Sequence, residues 1–194
     1  MPALDIDFDE VQSVFNTNVF AVMRLCKEFS PLLIEAKGTI INIGSLAGEI
    51  PYVFGSVYNA SKAALHSYSD TLRVELKPFH VKVMVVVTGG VKSNIARTHR
   101  ELPKGSLYVP LSTEYKRRQT HSQENATPNF EYAESVVREA LKPAPVRALW
   151  RGHQSWNVWF LLQFMPRAFW DLYFSRVFRL DKLTKHLGTQ SKDK

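Results

Sequence analysis

The apolar residues of this chain recur with two different periods, and these periods predict alternating helices and strands. From residue 9 to residue 35 they recur every three or four positions, as on one face of a helix. The runs Thr39–Ile43 and 81–87 are almost continuously apolar, and the second is rich in valine. Such runs are typical of strands buried in a parallel sheet. A further helix is predicted over residues 58–77, before Pro78. Its apolar seam consists of Leu65, Tyr68, Leu72 and Leu76.

The second half of the chain predicts a long polar segment followed by more regular elements. Residues 94–129 are polar and hold several Pro and Gly residues, so we expect a substrate lid with short helices near 113–123. His99 and His121 lie in this segment, and we assign them no role. A helix is predicted over 130–141, and a last short strand over 146–150.

A strand, a helix and a strand in this order predict a right-handed crossover between parallel strands. We therefore expect an α/β protein with a doubly wound, Rossmann-like parallel sheet. In such sheets the ligand crevice lies at the carboxyl ends of the strands. Ser45 and the turn at residues 88–93 both follow predicted strands, so the two should lie at this crevice.

Tyr58 and Lys62 form the chemically most informative pair. They are four residues apart, so they share one face of a helix. A cation beside a phenol favours the phenolate. At an effective dielectric constant of about 20, a charge about 4 Å away changes the pKa by roughly three units. We therefore predict that Lys62 brings the pKa of Tyr58 from about 10 towards 7, which makes Tyr58 a proton donor near neutral pH.

Ser45, followed thirteen residues later by Tyr58 and then by Lys62 in the segment Y-N-A-S-K, resembles the catalytic core of the short-chain dehydrogenase/reductase family. The segment I-I-N-I-G-S precedes the pair at the family's spacing, which makes the resemblance specific. The alternative is a Tyr and a Lys on an ordinary solvated helix face. The resemblance implies that Tyr58 donates a proton, that Lys62 also binds the nicotinamide ribose, and that Ser45 orients the carbonyl.

The same resemblance assigns roles to three residues that the pattern alone leaves open. Asn18 lies inside the predicted helix 9–35, where an exposed polar residue is the alternative. In the family an Asn in this helix holds a water for proton relay and lies at the cofactor. The turn T-G-G-V-K-S resembles the family's loop at the nicotinamide carboxamide, with Val91 and Ser93 at the matching positions; a plain Gly-rich turn is the alternative. The resemblance assigns no metal ligand.

The sequence contains no G-x-x-x-G-x-G turn, which a full member of the family uses to hold the cofactor pyrophosphate. The resemblance therefore covers roughly the second half of the family domain, and we expect a chain truncated at its amino end. The truncation would expose an edge and one face of the sheet, with Ile40, Ile41 and residues 83–87. The cofactor implied is NADPH (NADP), on the family resemblance alone.

Nine aromatic residues crowd the segment 155–180, which Pro166 interrupts. Its uncharged run, residues 154–166, is too short to span about 30 Å of hydrocarbon. We expect two aromatic helices that either lie at a lipid surface or pack on the core. We therefore divide the chain into a reductase portion (1–153), an aromatic helical extension (154–182) and a tail (183–194), of which residues 188–194 are expected to be disordered.

The aromatic segment is most similar to fungal NADPH-dependent 1-acyldihydroxyacetone-phosphate reductases, enzymes of the endoplasmic reticulum and lipid droplets. This implies a lipid-like ketone substrate, a peripheral membrane contact, and a location on the cytoplasmic face of these compartments or otherwise in the cytoplasm. The net charge of +7 comes from scattered basic residues without a nucleic-acid motif, so no nucleic-acid partner is expected. Cys26, the single cysteine, excludes an internal disulfide and is expected to be a packing residue.

The expected function is NADPH-dependent carbonyl reduction. Two alternatives stay open: a non-catalytic remnant that acts by dimerisation or lipid binding, and an enzyme similar to hydroxysteroid or retinol dehydrogenases. The family commonly pairs two helices across a two-fold axis. This implies a homodimer through the helices at 9–35 and 58–77, with Leu65 and Leu72 in the contact if they do not face the sheet.

Overall fold

A parallel three-stranded sheet forms the centre of the computed structural model, which describes residues 1–95 and 100–190, with side chains up to residue 187. The strands are β1 (Thr39–Ile43), β2 (Lys82–Thr88) and β3 (Ala148–Arg151), in the order β1-β2-β3. Ile43 pairs with Val86, and Val86 pairs with Leu149. The α/β class and the three strands expected from the sequence are confirmed.

The helices surround the sheet and connect its strands. The first helical stretch consists of α1, a π-helical turn at Asn16–Phe20 and α2. The crossover between β1 and β2 is made by α3, and the segment before β3 holds α4 and α5. The helices are α1 (Phe8–Phe15), α2 (Ala21–Glu35), α3 (Ser56–Glu75), α4 (Ser112–Thr120), α5 (Asn129–Ala140), α6 (Ser155–Phe164), α7 (Arg167–Val177) and α8 (Asp181–Gln190). None of these helices, within the described residues, combines the length and hydropathy that a membrane span needs.

The central strand β2 separates two apolar layers. Val83 packs with Cys26 and Ile40 on the side of α2 and α3. Met84 and Val86 pack with Val136 and Leu149 on the side of α5. The alternation of side chains along a strand explains this division, and burial on both faces explains the run of valines. The expected packing role of Cys26 agrees with its burial.

The face of β1 differs from the expectation. Ile40 is buried, and so are all five residues from Val83 to Val87, whereas Ile41 and Ile43 are 37% and 46% exposed. Of the sheet residues named in the prediction, only those on one face of the edge strand β1 are therefore exposed. The prediction was wrong for the buried residues because α2, α3 and α5 cover them.

The two leucines considered for a dimer contact face inward. Leu65 is only 2% exposed, and Leu72 packs against the cluster of Cys26, Val81 and Val83. Leu65 and Leu72 were expected in a dimer contact only if they did not face the sheet. Because the apolar seam of α3 packs on the sheet, both are excluded from such a contact.

A third apolar cluster joins the loop after β1, the segment predicted to be a lid and the C-terminal helices. Its aromatic members stack on one another: Trp170 lies 6.0 Å from Phe174, and Phe174 lies 6.3 Å from Phe178, measured between ring centroids. Its buried residues are Ile50, Phe54, Leu111, Tyr115, Val158, Trp170, Phe174 and Phe178. The inward face of the aromatic segment thus packs on the core, which was one of the two arrangements predicted for these helices.

The C-terminal tail contains more structure than expected. Helix α8 extends to Gln190, so residues 188–190, which were expected to be disordered, are helical. Residues 191–194 of the predicted tail lie outside the described part of the chain. The Lys182 ammonium pairs with the Glu114 carboxylate, so the start of α8 is connected to the lid helix α4.

We expect Phe178→Ala to lower the free energy of unfolding by about 3–5 kcal/mol, because this side chain is fully buried among other rings. Phe164→Ala is the matched control. Phe164 is 67% exposed, and its loss should cost about 0.5 kcal/mol or less. Urea denaturation of both variants measures the difference. Equal losses would contradict the assignment of Phe178 to the core.

Candidate active site

Ser45 lies in the turn that follows β1. It precedes a short 3₁₀ helix at Leu46–Gly48, and its hydroxyl accepts the N–H of Ala47 at 3.1 Å. Because Ile43 pairs with Val86 in the parallel sheet, this turn and the turn after β2 lie at the same edge. Ser45 therefore lies at the carboxyl ends of the strands, where a ligand crevice is expected.

Tyr58 and Lys62 lie in the first turns of α3, which begins at Ser56. The Nζ atom of Lys62 is 5.8 Å from the centroid of the Tyr58 ring. The same ammonium donates a hydrogen bond to the carbonyl of Ile43 at 2.8 Å. One helix thus brings the phenol and the ammonium together and connects them to the end of β1.

The pKa of Tyr58 differs from the sequence-based prediction. Burial raises the pKa of Tyr58 above its ordinary value, while the Ser45 side chain and the charge of Arg118 oppose this rise. Burial also lowers the pKa of Lys62. The predicted shift towards 7 was wrong in direction, because a buried phenolate loses its hydration, and this effect outweighs the Ser45 side chain and the charge of Arg118.

Asn18 is connected to the same helix by one hydrogen bond, which a second bond within the helix continues to Tyr58. Its Nδ2 donates to the Ser61 hydroxyl at 3.1 Å, and Ser61 donates to the Tyr58 carbonyl at 2.8 Å. Asn18 lies in the π-helical turn, and such turns are frequent at functional sites. The sequence predicted the helix but not this turn, since nothing in its apolar periodicity marks one additional residue in a helical turn.

The turn after β2 carries Val91 and Ser93. The side-chain amide of Gln123 donates to the Val91 carbonyl at 3.2 Å and accepts the Ser93 N–H at 3.0 Å. Within the described residues the Val91 N–H has no acceptor, and the Ser93 side chain is exposed. A free N–H and an accessible hydroxyl fit the carboxamide of a nicotinamide, which has both a hydrogen-bond acceptor and donors.

Thr88 stands where the resemblance suggests a proline. Its hydroxyl shares a hydrogen bond with the Tyr132 hydroxyl at 2.7 Å. A proline could not make this contact, so the threonine attaches the end of β2 to α5 by a bond of its own.

Arg118 is a charged residue near the site that the sequence analysis missed. Its guanidinium lies 3.5 Å from the centroid of the Tyr52 ring, and its Nε donates to the Val53 carbonyl at 2.9 Å. Its charge lowers the pKa of Tyr58, and burial lowers the pKa of Arg118 itself. Arg118 follows Tyr58 by sixty positions, so the sequence gives no sign that the two lie close together. Two further basic residues, Lys116 and Arg117, precede it directly, so the sequence does not distinguish Arg118 from surface charge.

The two lid histidines have different outcomes. The imidazole of His121, to which the sequence assigned no role, hydrogen-bonds to the Tyr52 hydroxyl. His121 thereby connects the lid to the loop after β1. His99 lies outside the described residues.

We expect Arg118→Met to raise the pKa of Tyr58 further, because the nearby cation favours the phenolate and its removal destabilises that form. Arg117→Met is the matched control, since Arg117 lies next in sequence and pairs with Glu124 at 3.8 Å. A pH titration of ¹³Cζ-labelled tyrosine by NMR measures the shift. The same Tyr58 pKa in both variants would exclude an electrostatic effect of Arg118.

Comparison with known proteins identifies the family. The family model described as short chain dehydrogenase matches residues 1–103. The chain is 46% identical to the short-chain dehydrogenase virD of Hypocrea virens, covering 100% of this chain and 68% of that protein. It is 39% identical to the NADPH-dependent 1-acyldihydroxyacetone phosphate reductase of Saccharomyces cerevisiae, covering 100% of this chain and 66% of that protein.

Solved structures agree on the fold. A short-chain dehydrogenase from Streptomyces avermitilis matches with a TM-score of 0.70 at 20% identity, covering 96% of this chain and 66% of that one. The closed form of serine dehydrogenase complexed with NADP⁺ matches with a TM-score of 0.61 at 25% identity, covering 78% of this chain and 58% of that one. On the family model, the relatives and the Rossmann-like sheet together, the chain belongs to the short-chain dehydrogenase family.

Proposed function

We propose that this chain carries the catalytic residues of an NADPH-dependent carbonyl reductase for a lipid-like ketone. The observation that carries the proposal is the arrangement of Tyr58, Lys62 and Ser45 at the end of β1. There the Lys62 ammonium lies 5.8 Å from the centroid of the Tyr58 ring. The Ser45 side chain opposes the rise that burial causes in the pKa of Tyr58.

Each residue has a distinct task in the proposed reaction. The Ser45 hydroxyl donates to the carbonyl oxygen and orients the ketone. The Tyr58 phenol transfers its proton to that oxygen as the carbonyl carbon receives hydride, so the ketone becomes a secondary alcohol. Because burial raises the pKa of Tyr58, the phenol is protonated at neutral pH, as a proton donor must be. Asn18 supports a water in the proton relay.

Bound NADPH supplies the hydride in this proposal. Lys62 and Tyr58 would hold the ribose next to the nicotinamide, with Asn18 beside them, and Val91 and Ser93 would hold the carboxamide. The preference for NADPH is supported by the yeast relative, an NADPH-dependent reductase, and by the NADP⁺ complex of serine dehydrogenase. We assign no residue to the pyrophosphate, since the sequence contains no Gly-rich turn of the required spacing.

The lipid-like substrate is proposed from the yeast relative, whose name specifies 1-acyldihydroxyacetone phosphate, and from the apolar surface near the C terminus. Trp156, Phe160 and Phe164 recur every four residues on α6, so they share one side of it. They are 59%, 55% and 67% exposed. The guanidinium of Arg151 lies 5.9 Å from the Trp156 ring, at the end of this stripe.

We propose that this α6 stripe contacts a lipid surface, such as the endoplasmic reticulum or a lipid droplet. Burying about 100 Å² more of each of the three rings would stabilise the bound state by about 7 kcal/mol before the cost of association. Arginine at the edge can contact anionic headgroups. The inward residues Trp170, Phe174 and Phe178 belong to the core cluster and take no part in this contact.

A second candidate function is non-catalytic binding. It is favoured by the apolar face formed by Ile41 and Ile43 on β1 together with Leu25 and Phe29 on α2, all of which are more than a third exposed. A chain that binds a partner there would need no cofactor.

We also propose a homodimer through the outward faces of the first helical stretch and of α3. Phe20 and Val74 are 44% and 61% exposed on these helices. Light scattering at micromolar concentration tests the proposal, and a monomer would contradict it.

In a chain extended by the family's βαβ unit with a Gly-rich turn, we expect Tyr58→Phe to lower kcat for ketone reduction at least 100-fold, within the range of about 10²–10⁴ for a general acid. Tyr68→Phe on the same helix is the matched control and should keep nearly full activity. The assay follows NADPH absorbance. More than about a tenth of the wild-type kcat in Tyr58→Phe would contradict the role of Tyr58 as proton donor.

The same assay should be run on the 194-residue chain and on a chain extended by a βαβ unit with a Gly-rich turn. We expect the 194-residue chain to bind NADPH weakly, because Tyr58, Lys62, Val91 and Ser93 address only the nicotinamide end. Calorimetry measures the affinity. A micromolar Kd for NADPH together with turnover in the 194-residue chain would contradict this expectation. If neither chain reduces a ketone, the non-catalytic alternative is favoured.

We expect Trp156→Ser, Phe160→Ser and Phe164→Ser in combination to reduce co-sedimentation with anionic phosphatidylserine vesicles, because the apolar area of α6 is lost. The matched control combines Phe130→Ser and Val137→Ser on α5 with Leu141→Ser directly after it; these three residues are 77%, 54% and 80% exposed. Equal sedimentation of both variants and the wild type would contradict a lipid contact at α6. Substitutions are preferable to deletion after residue 153, since deletion would remove Trp170 and Phe178 from the core.

A further inference from the structure

His66 is a buried imidazole whose two nitrogens both have partners. Its Nε2 lies 3.2 Å from the backbone nitrogen of Ser45, and its Nδ1 lies 2.8 Å from Oε1 of Glu49. The residue is 9% exposed, and the Glu49 side chain that it contacts is 34% exposed. None of the roles described above uses this histidine.

These contacts determine which nitrogen carries the proton. A backbone N–H can only donate, so Nε2 must accept with its lone pair. Nδ1 then carries the hydrogen and donates it to the Glu49 carboxylate. A carboxylate that accepts from one ring nitrogen fixes the tautomer and the orientation of the other. Glu49, His66 and the Ser45 amide thus form one directed chain of hydrogen bonds.

We propose that His66 is a positioning residue, which, held by Glu49, fixes the place of Ser45 through its backbone amide. The proposal concerns the reaction only if Ser45 orients a carbonyl, so in that respect it rests on the proposed function. The hydrogen-bonded chain itself can be tested without any catalysis.

The backbone around His66 leaves room for the ring and for nothing larger. A Cβ added at Gly44 would lie 2.1 Å from Nε2, and one added at Gly48 would lie 2.9 Å from Cε1. Both distances are far below van der Waals contact. The turn that carries Ser45 is therefore built closely around this imidazole, with one glycine on each side of Ser45.

Helix α3 presents His66 in line with the catalytic pair. Tyr58, Lys62 and His66 follow one another at intervals of four residues, so they share one face. Lys62 contacts the Ile43 carbonyl, and His66 contacts the Ser45 amide, two residues further along the chain. Two successive turns of α3 thereby attach the end of β1 to the helix that carries Tyr58. The distance between the serine and the tyrosine is determined by this attachment.

The first test measures the tautomer in the wild-type 194-residue chain. Long-range ¹H–¹⁵N NMR at neutral pH distinguishes a protonated ring nitrogen from an unprotonated one. We expect His66 to carry its hydrogen on Nδ1 and to have an unprotonated Nε2. A hydrogen on Nε2 would overturn the proposal, because that nitrogen could not then accept from Ser45.

The second test compares two variants that each keep one of the two contacts. His66→Gln places an amide oxygen near the position of Nε2, where it can accept the Ser45 N–H. His66→Asn places its amide near the position of Nδ1, where it can reach Glu49 but not Ser45. We expect exchange of the Ser45 amide hydrogen to be about tenfold faster in His66→Asn than in His66→Gln.

The amide of Val85, which donates to the Arg147 carbonyl within the sheet, is the reference for global stability. If His66 only filled space in the core, each variant would change the exchange rates of the Ser45 and Val85 amides by the same factor. That result would contradict the proposal. If a variant fails to fold, the tautomer measurement in the wild type still decides.

The third test measures kcat and the KM for NADPH in the extended chain that carries the Gly-rich turn. His66→Asn should lower kcat by about tenfold or more with the KM for NADPH nearly unchanged, and His66→Gln should restore part of the loss. If the Ser45 amide exchanges faster in His66→Asn but kcat is unchanged, the position of Ser45 does not matter for catalysis, and this part of the proposal is wrong. Failure of the proposed function itself would appear differently, as an active Tyr58→Phe variant.

Discussion

Parallel pairing of β1 with β2 is the constraint on which the site depends. Parallel neighbours cannot be joined by a tight turn, so the chain must cross over one face of the sheet, and α3 is that crossover. The crossover begins at the carboxyl end of β1. The first turns of α3, with Tyr58 and Lys62, therefore lie beside the turn that carries Ser45. The buried valines of β2 hold both strands in this register.

The third apolar cluster is assembled from segments that are distant in sequence. Phe54 from the loop after β1, Tyr115 from the lid helix and Phe178 from the C-terminal region pack as one apolar cluster. The rings of Phe54 and Phe178 meet edge to face at 6.0 Å. This packing holds the lid against the loop that leads to Tyr58. The aromatic segment consequently has two faces, one in the core and one exposed along α6.

Burial determines the electrostatics of Tyr58. It raises the pKa of the phenol, while Ser45 and Arg118 act in the opposite direction. A phenol with a raised pKa holds its proton at neutral pH and favours a neutral ground state. The nearby hydroxyl and cation then stabilise the charge that develops as the proton leaves. The raised pKa keeps Tyr58 in its protonated form, which is the form that the proposed proton donor requires.

The sequence by itself predicted the parallel strands, the helix that carries Tyr58 and Lys62, and the position of Ser45 after a strand. These predictions depend on local periodicity and on spacings within one crossover unit, which the chain encodes over a few residues.

Only the tertiary structure decided the rest. The π-helical turn at Asn18, the approach of Arg118 to Tyr58, the contact of His66 with the Ser45 amide and the inward face of the aromatic segment all depend on packing. The direction of the Tyr58 pKa shift was decided there too, because the sequence specifies which charge stands four residues away but not how much water the fold removes. Desolvation and contacts between distant residues arise when separate elements meet, and no local pattern records which elements will do so.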